Sequence, residues 1–196
     1  MVSVISFIQN DGAAFQLDTY DTIRFMRLTN LAASLPATSH VPPQSFISLK
    51  KYFNHNEWKY EFDDENQVVS THLEGDTGLF RVVAVISPEN DLLEVAAYLP
   101  CKVIPESRQL AAEFCTRASY GLKIGHLEFD FDDGAVRLHV SSLFADEDLD
   151  KSLIHKSVGA AVVLADRYNP YLLSAIYGTT TPEEAVRNAE LPFKAE

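Results

Sequence analysis

The sequence predicts an α+β domain in which helices pack on an antiparallel β-sheet. Segments with strand character follow one another through short turns, as antiparallel strands do. Segments with helical periodicity precede, separate and follow these strands. No alternating βαβ series occurs, so a parallel sheet is not expected.

The first predicted elements are a helix and three strands. The helix begins at Pro43, whose fixed φ suits a first turn, and Phe46 and Phe53 share one helix face. The strands follow, bounded by turn residues, over residues 68–73, 79–86 and 92–99. The middle strand has apolar residues at consecutive positions, which predicts a central strand covered on both faces.

The next predicted elements are a helix and a hairpin. Pro105 opens the helix, and Gly121 is placed to end it in the left-handed conformation. The hairpin spans residues 125–143. Its Asp133-Gly134 pair is a strong signal for a tight two-residue turn.

A long helix and a short helix complete the predicted fold. The long helix begins near Leu149 with Asp148 as its N-cap. Pro170 should kink or divide this helix, because proline removes a backbone donor, and Gly178 ends it. Thr181 begins a capping box, which predicts a short final helix.

Composition narrows the class of protein. The net charge of −12 argues against nucleic-acid binding, since phosphate backbones require clustered Lys and Arg. An acidic surface still attracts basic segments of a protein partner. Cys101 and Cys115 form no CxxC or zinc pattern, so we expect two small buried hydrophobes and no structural metal site.

The N-terminal part differs from the rest of the chain. Residues 1–9 lack the basic start and continuous apolar run of a signal peptide. No apolar stretch approaches the roughly 20 residues that span a bilayer. We therefore expect a soluble, cytoplasmic protein. Residues 1–42, which end in a proline-containing linker, are expected to be an extension of the domain formed by residues 43–196.

One face of the predicted hairpin carries polar side chains. A two-residue turn would pair Glu128 with His139 and Asp130 with Arg137, on the same face as His126. In one interpretation Glu128, His126 and His139 form a metal or acid–base cluster. In the other, the face is solvated and opposite charges pair across the strands. The strict alternation favours the solvated face, so we predict no metal ligands there.

The chain contains no recognised catalytic motif. Neither a GxSxG nucleophile elbow nor a glycine-rich phosphate loop occurs, so we predict no enzyme and no cofactor. Residues 166–171 place polar and aromatic groups around Pro170. They form either a recognition edge, since Tyr and Arg are enriched at interface hot spots, or a Tyr packed on the sheet beside solvated Asp166 and Arg167.

Several motifs of the second half resemble those of the YbjN domain family. They are Glu113–Gly125, Glu128–Arg137, Asp166–Tyr171, Ile176–Gly178 and Thr181–Ala185. One departure is Ser119, where the family usually has asparagine. The resemblance implies a type III secretion chaperone-like fold, often dimeric. The family is described as bacterial sensory transduction regulators, and it has no assigned catalytic residues.

The predicted function is a non-enzymatic adaptor or chaperone-like regulatory protein that binds a protein partner, in bacterial signal transduction. The candidate partner-binding residues are Arg167, Tyr168, Tyr171 and Tyr120. We expect a homodimer that binds neither nucleic acid nor membrane. The alternative function is a small-ligand or metal sensor that uses the polar face of the 125–143 hairpin.

Overall fold

The computed structural model describes residues 44–56, 58–64, 66–87, 91–144 and 149–191. Residues 1–42, and the predicted helix start at Pro43, lie outside the described residues. The described helices are α1 Gln44–His55, α2 Arg108–Gly121, α3 Lys151–Ile176 and α4 Pro182–Glu190, with a 3₁₀ turn at Pro105–Ser107 before α2. The strands are β1 Tyr60–Asp63, β2 Val68–Glu74, β3 Leu79–Ser87, β4 Leu92–Lys102, β5 His126–Phe129 and β6 Ala135–Leu143.

The described strands form one antiparallel sheet in the order β1-β2-β3-β4-β6-β5. The hairpin made by β5 and β6 joins the sheet through β6, which pairs with β4. The three strands predicted over residues 68–73, 79–86 and 92–99 lie within β2, β3 and β4. The prediction of an α+β fold with an antiparallel sheet is therefore confirmed.

The helices cover one face of the sheet and form the main core with it. Phe80 of β3 and Leu138 of β6 are fully buried in this core, together with Phe46 of α1. Phe114 of α2 meets Tyr168 of α3 edge to face, with ring centroids 6.2 Å apart. Such aromatic pairs stabilise a core beyond the area they bury.

The opposite face of the sheet, called the second face below, is also buried at its centre. Val68, Val83, Val85 and Ala96 form a separate apolar cluster there, with Tyr98 packed against it. Among the described residues, this cluster contains strand residues only. Val83 is 1% exposed. The prediction that β3 is buried on both faces is confirmed.

The end of α2 differs from the prediction. Gly121 is the last residue of the helix and is not in the left-handed conformation. In the segment between α2 and β5, positive φ occurs instead at Gly125, immediately before β5. Gly121 instead allows close packing, because a Cβ at this position would lie 2.7 Å from Oε1 of Glu190 on α4.

The long helix α3 begins later than predicted and is not divided. Its N-cap is Asp150, not Asp148, and the Asp150 side chain accepts a hydrogen bond from the Ser152 nitrogen at 3.1 Å. The helix continues through Pro170 as far as Ile176. Gly178 follows it with φ of 72°, as a left-handed helix end requires.

The short helix α4 begins as predicted. The Thr181 side chain accepts a hydrogen bond from the Glu184 nitrogen, and the Glu184 carboxylate accepts one from the Thr181 nitrogen. This reciprocal pair is a capping box, and Pro182 occupies the first helical position.

The hairpin register is shifted by two residues from the prediction. Glu128 pairs with Arg137, and His126 pairs with His139. Strand side chains alternate with a period of two, so a shift of two keeps every side chain on its predicted face. The predicted face is therefore right, and the predicted cross-strand partners are wrong.

A wider loop causes the shift. The Gly134 nitrogen donates to the Asp130 carbonyl at 2.9 Å, and the Asp130 nitrogen donates to the Ala135 carbonyl at 2.9 Å. The connection therefore spans residues 131–134. The Asp130 carboxylate stabilises it by accepting from the Asp132 nitrogen at 2.7 Å.

Candidate functional site

A connected group of polar side chains lies on the second face, at the end of the sheet formed by β4, β6 and β5. We call it the polar network, and its members are Glu94, His126, Glu128, Arg137 and His139. The antiparallel ladder places these residues on one face, because they occupy alternate positions along their strands.

Glu128 is the centre of the polar network. Its Oε1 lies 3.0 Å from Nε2 of His126 and 3.1 Å from Nδ1 of His139. Its Oε2 accepts an ion-paired hydrogen bond from Nε of Arg137. Both carboxylate oxygens therefore have partners, and these partners come from β5 and β6.

His139 is buried between two carboxylates. It is 8% exposed, and its Nε2 lies 3.2 Å from Oε1 of Glu94 while its Nδ1 faces Glu128. Glu94 reaches this position because β4 pairs with β6, and His139 lies opposite Ala96. Glu94 is 7% exposed, and its Oε2 is buried without a hydrogen-bond partner.

Arg137 connects the polar network to the middle of the sheet. Its Nη1 donates to the Tyr98 hydroxyl at 3.1 Å, and the Arg81 guanidinium lies 4.1 Å from the centre of the Tyr98 ring. Strand pairing places His72, Arg81, Tyr98, Arg137 and Glu128 in one row across five strands. The network is therefore held by neighbours along the whole row.

The contacts within the network shift the pKa values of Glu128 and His139 in opposite directions. Burial acts to raise the pKa of Glu128, but the hydrogen bond with His139 and the charge of Arg137 outweigh burial and lower it to about 2. Burial acts to lower the pKa of His139, but hydrogen bonds with Glu128 and Glu94 outweigh burial and raise it. Glu128 is thus held as a carboxylate, and in this arrangement His139 favours its protonated form.

The prediction of a solvated face is wrong at the centre of the network. The side chains of His139 and Arg137 are 10% and 13% exposed, whereas that of His126 is 48% exposed. The physical reason is that β6 is flanked by β4 and β5, so its side chains have neighbours on both sides. Glu94 was missed, and its only signal is one acidic residue inside an apolar strand.

Two of the predicted partner-binding residues, Tyr168 and Arg167, make contacts within the domain. Tyr168 is 3% exposed and packs in the main core against Phe114. Arg167 donates from Nε to the Ala189 carbonyl at 2.6 Å and from Nη2 to the Leu191 carbonyl at 2.9 Å. Arg167 therefore holds the C-terminal end of α4.

The other two candidates differ in exposure. Tyr171 is half-buried beside the main core. Tyr120, near the end of α2, is 96% exposed. The structure does not bring the four candidates into one surface patch, because Tyr168 points into the core.

Tyr120 lines a groove between α2 and α4 with a volume of about 560 Å³. The groove is lined by Thr116, Arg117, Tyr120, Gly121, Glu183, Val186, Arg187 and Glu190. Arg117 pairs with Glu113 at 2.7 Å, and Arg187 pairs with Glu183 at 2.8 Å. The groove thus combines an exposed aromatic ring with charges of both signs.

Ser119 joins the end of α2 to the hairpin. Its hydroxyl accepts from the Leu127 nitrogen at 2.9 Å and lies 3.1 Å from the Leu127 carbonyl, to which it donates. Ser119 therefore fixes the end of α2 to β5, next to the polar network.

None of the described helices is long and apolar enough to cross a bilayer.

Comparisons with known proteins gave matches to solved structures and to one family model. Among the curated proteins, none matches the chain significantly. The solved structures that are similar to it include the following three. The ExsC–ExsE complex has 18% identity over 65% of this chain and 92% of that chain, with a TM-score of 0.46. YbjN from E. coli has 14% identity over 68% and 96%, with a TM-score of 0.47. The HopA1–SchA chaperone–effector complex has 18% identity over 73% and 97%, with a TM-score of 0.38.

The family assignment comes from a match to a family model. The model of the YbjN family, described as "Putative bacterial sensory transduction regulator", matches residues 48–174. This match covers more than half of the chain, so the predicted resemblance is confirmed and the chain belongs to the YbjN family.

Proposed function

We propose that this chain is a non-enzymatic adaptor that binds a protein partner in bacterial signal transduction, in the cytoplasm. Membership of a family described as sensory transduction regulators supports a regulatory role. The net charge of −12 favours encounters with partners that carry basic segments.

The observation that carries the proposal is the exposure of Tyr120 beside the groove between α2 and α4. Tyr is enriched among the residues that dominate binding energies, because it combines a rigid ring with a polar end. Val186, which is 7% exposed, supplies apolar surface at the same groove. A partner helix or extended segment would place an apolar side chain there and its charges over Arg117 and Glu190.

Site-specific photo-crosslinking tests this proposal. A photoreactive phenylalanine derivative replaces Tyr120 in one variant and Tyr177, which is 75% exposed, in a control. We expect one discrete crosslinked protein in cells with the probe at position 120 and none with the probe at 177. Equal crosslinking at both positions, or no product at position 120, would contradict the proposal.

A second candidate function is a small-ligand or metal sensor at the polar face of the hairpin. The observation that favours it is the convergence of His126, Glu128 and His139, whose donor atoms all lie within 4.8 Å of one another. A thermal-shift screen of metal ions and metabolites, on wild type and Glu128→Gln, tests it. A sensor would show a shift that the variant loses.

The homodimer and the domain boundary stay predictions. Light scattering at several concentrations tests the dimer, and a monomer at every concentration would contradict it. Limited proteolysis tests the boundary, since cleavage should concentrate between residues 1–42 and the domain of residues 43–196.

A further inference from the structure

We propose that His126, Glu128 and His139 bind one divalent transition-metal ion, of the class that imidazole and carboxylate ligands prefer, such as Zn²⁺. The proposal rests on the second candidate function above and specifies its ligand. It is independent of the groove between α2 and α4 that is proposed above to bind a protein partner.

The carboxylate oxygen already lies at single-ion spacing from both ring nitrogens, and all three donor atoms lie within 4.8 Å of one another. Ligand atoms bound 2.0–2.1 Å from a single ion are about 3 to 3.4 Å apart. Nε2 of His126 and Nδ1 of His139 lie 3.0 and 3.1 Å from Oε1 of Glu128. The two imidazole rings have centroids 5.2 Å apart and are tilted by 54°. An ion would replace the two hydrogen bonds that now join both rings to the same oxygen.

The sheet fixes this spacing before any ion binds. His126 and His139 are direct cross-strand partners, and Glu128 is two residues further along β5 on the same face. All three backbones belong to hydrogen-bonded strands, so the ligands lie on rigid elements. Sites built on strands hold their ligands more accurately than sites built on loops.

A second group of contacts orients the ligands, as outer contacts do in metal sites. A ligating histidine usually donates its other ring N–H to a carboxylate, and Nε2 of His139 lies 3.2 Å from Oε1 of Glu94. Arg137 occupies Oε2 of Glu128, which leaves Oε1 for the ion. The buried Oε2 of Glu94, which has no hydrogen-bond partner, supports the site independently of the ligand spacing. Burying such a carboxylate is costly, and an ion beyond His139 would supply compensating positive charge.

The donor set selects the class of ion. Two imidazole nitrogens and one carboxylate oxygen suit Zn²⁺, Co²⁺ or Ni²⁺, whereas Ca²⁺ and Mg²⁺ require oxygen ligands. Three protein ligands leave a fourth position open. Because the His126 side chain is 48% exposed, water or a donor group of another molecule can reach the fourth coordination position.

Calorimetric titration of the tag-free, chelator-stripped full chain with ZnCl₂ tests the proposal. The variant is His126→Gln, chosen because this ligand is 48% exposed and its replacement should not unfold the protein. The control is His72→Gln, an exposed histidine of β2 on the same face and in the same row as Glu128. We expect one Zn²⁺ per chain, affinity reduced at least about tenfold by His126→Gln, and no change in the control.

A further variant separates a true site from surface binding. Glu94→Gln keeps the size of the side chain but removes the carboxylate that orients His139, and we expect it to weaken Zn²⁺ about 10- to 100-fold. Circular dichroism confirms that each variant is folded. No Zn²⁺ binding by the wild type, or equal affinity in wild type and His126→Gln, would overturn the proposal. In that case a metabolite-induced thermal shift that depends on Glu128 would still leave the small-ligand sensor standing.

Discussion

The Asp166 carboxylate in the middle of α3 accepts hydrogen bonds from the backbone nitrogen and the hydroxyl of Thr77, each at 2.7 Å, although 89 residues separate them in sequence. The same carboxylate accepts from the Asp76 nitrogen at 3.1 Å. Gly75 makes room for it, because a Cβ there would lie 2.6 Å from the Asp166 oxygen. The turn between β2 and β3 is therefore fixed to the long helix.

Removing the Asp166 carboxylate should destabilise the protein. Asp166→Ala leaves the nitrogens of Asp76 and Thr77 without their acceptor, and hydrogen bonds to charged groups contribute about 1.5–3 kcal/mol. We expect the free energy of unfolding to fall by about 2–3 kcal/mol in urea denaturation. The control is Asp76→Ala, which removes an exposed carboxylate from the same turn and should cost less than about 0.5 kcal/mol. Equal losses in both variants would show that Asp166 has no special role.

Thr77 also explains why α3 tolerates Pro170. Proline has no N–H to donate to the carbonyl four residues earlier, which is that of Asp166. The Thr77 hydroxyl lies 3.0 Å from this carbonyl, and its single proton is shared between the carbonyl and the carboxylate of Asp166. We expect Thr77→Val to cost about 1–2 kcal/mol, and to cost less when Pro170→Ala restores the helical hydrogen bond. A double-mutant cycle measures this coupling, and purely additive effects would argue against it.

Arg167 should control the stability of α4. Its two hydrogen bonds to the Ala189 and Leu191 carbonyls satisfy acceptors that have no partner within the helix. We expect Arg167→Gln to accelerate hydrogen exchange across α4 and to cost about 1.5–3 kcal/mol. Arg187→Gln is the control, since that side chain is 66% exposed and its pair with Glu183 should contribute under about 1 kcal/mol. Unchanged exchange in the Arg167 variant would refute this role.

The polar network should make stability depend on pH in the chelator-treated protein. The pKa of Glu128 falls from 4.5 to about 2 on folding. The ionised side chain therefore contributes its full stabilisation above pH 4.5, and this stabilisation is lost as the pH falls towards 2. Wild type should exceed Glu128→Gln in unfolding free energy by about 1–3 kcal/mol near neutral pH. This difference should shrink as the pH falls below about 4.5. Urea denaturation at several pH values measures it, with exposed Glu113→Gln as a control, and a constant difference would contradict the prediction.

In residues 166–171 the sequence indicates an unusual segment but not the residues that it contacts. The sequence predicts either a recognition edge or a Tyr packed on the sheet beside solvated Asp166 and Arg167. The structure buries Tyr168, as the second alternative expected. It also shows that Asp166 and Arg167, which are both half-buried, bind backbone groups of distant elements. Those partners are far away in sequence, so no local pattern indicates them.

The elements that the sequence determined by itself depend on interactions between residues close together in the chain. Periodicity, turn residues and the capping box at Thr181 depend on neighbours within a few residues, and they predicted the α+β fold and most helices and strands. Family motifs in the same segments identified the YbjN family.

Only the tertiary structure decided the hairpin register and the polar network. The register depended on whether Asp130 closed a wider loop than the Asp133-Gly134 pair suggested. The burial of His139, and its contact with Glu94, required β6 to pair with β4 across some forty intervening residues. Such pairing is non-local, and it decides which polar side chains leave water and which carboxylates they meet.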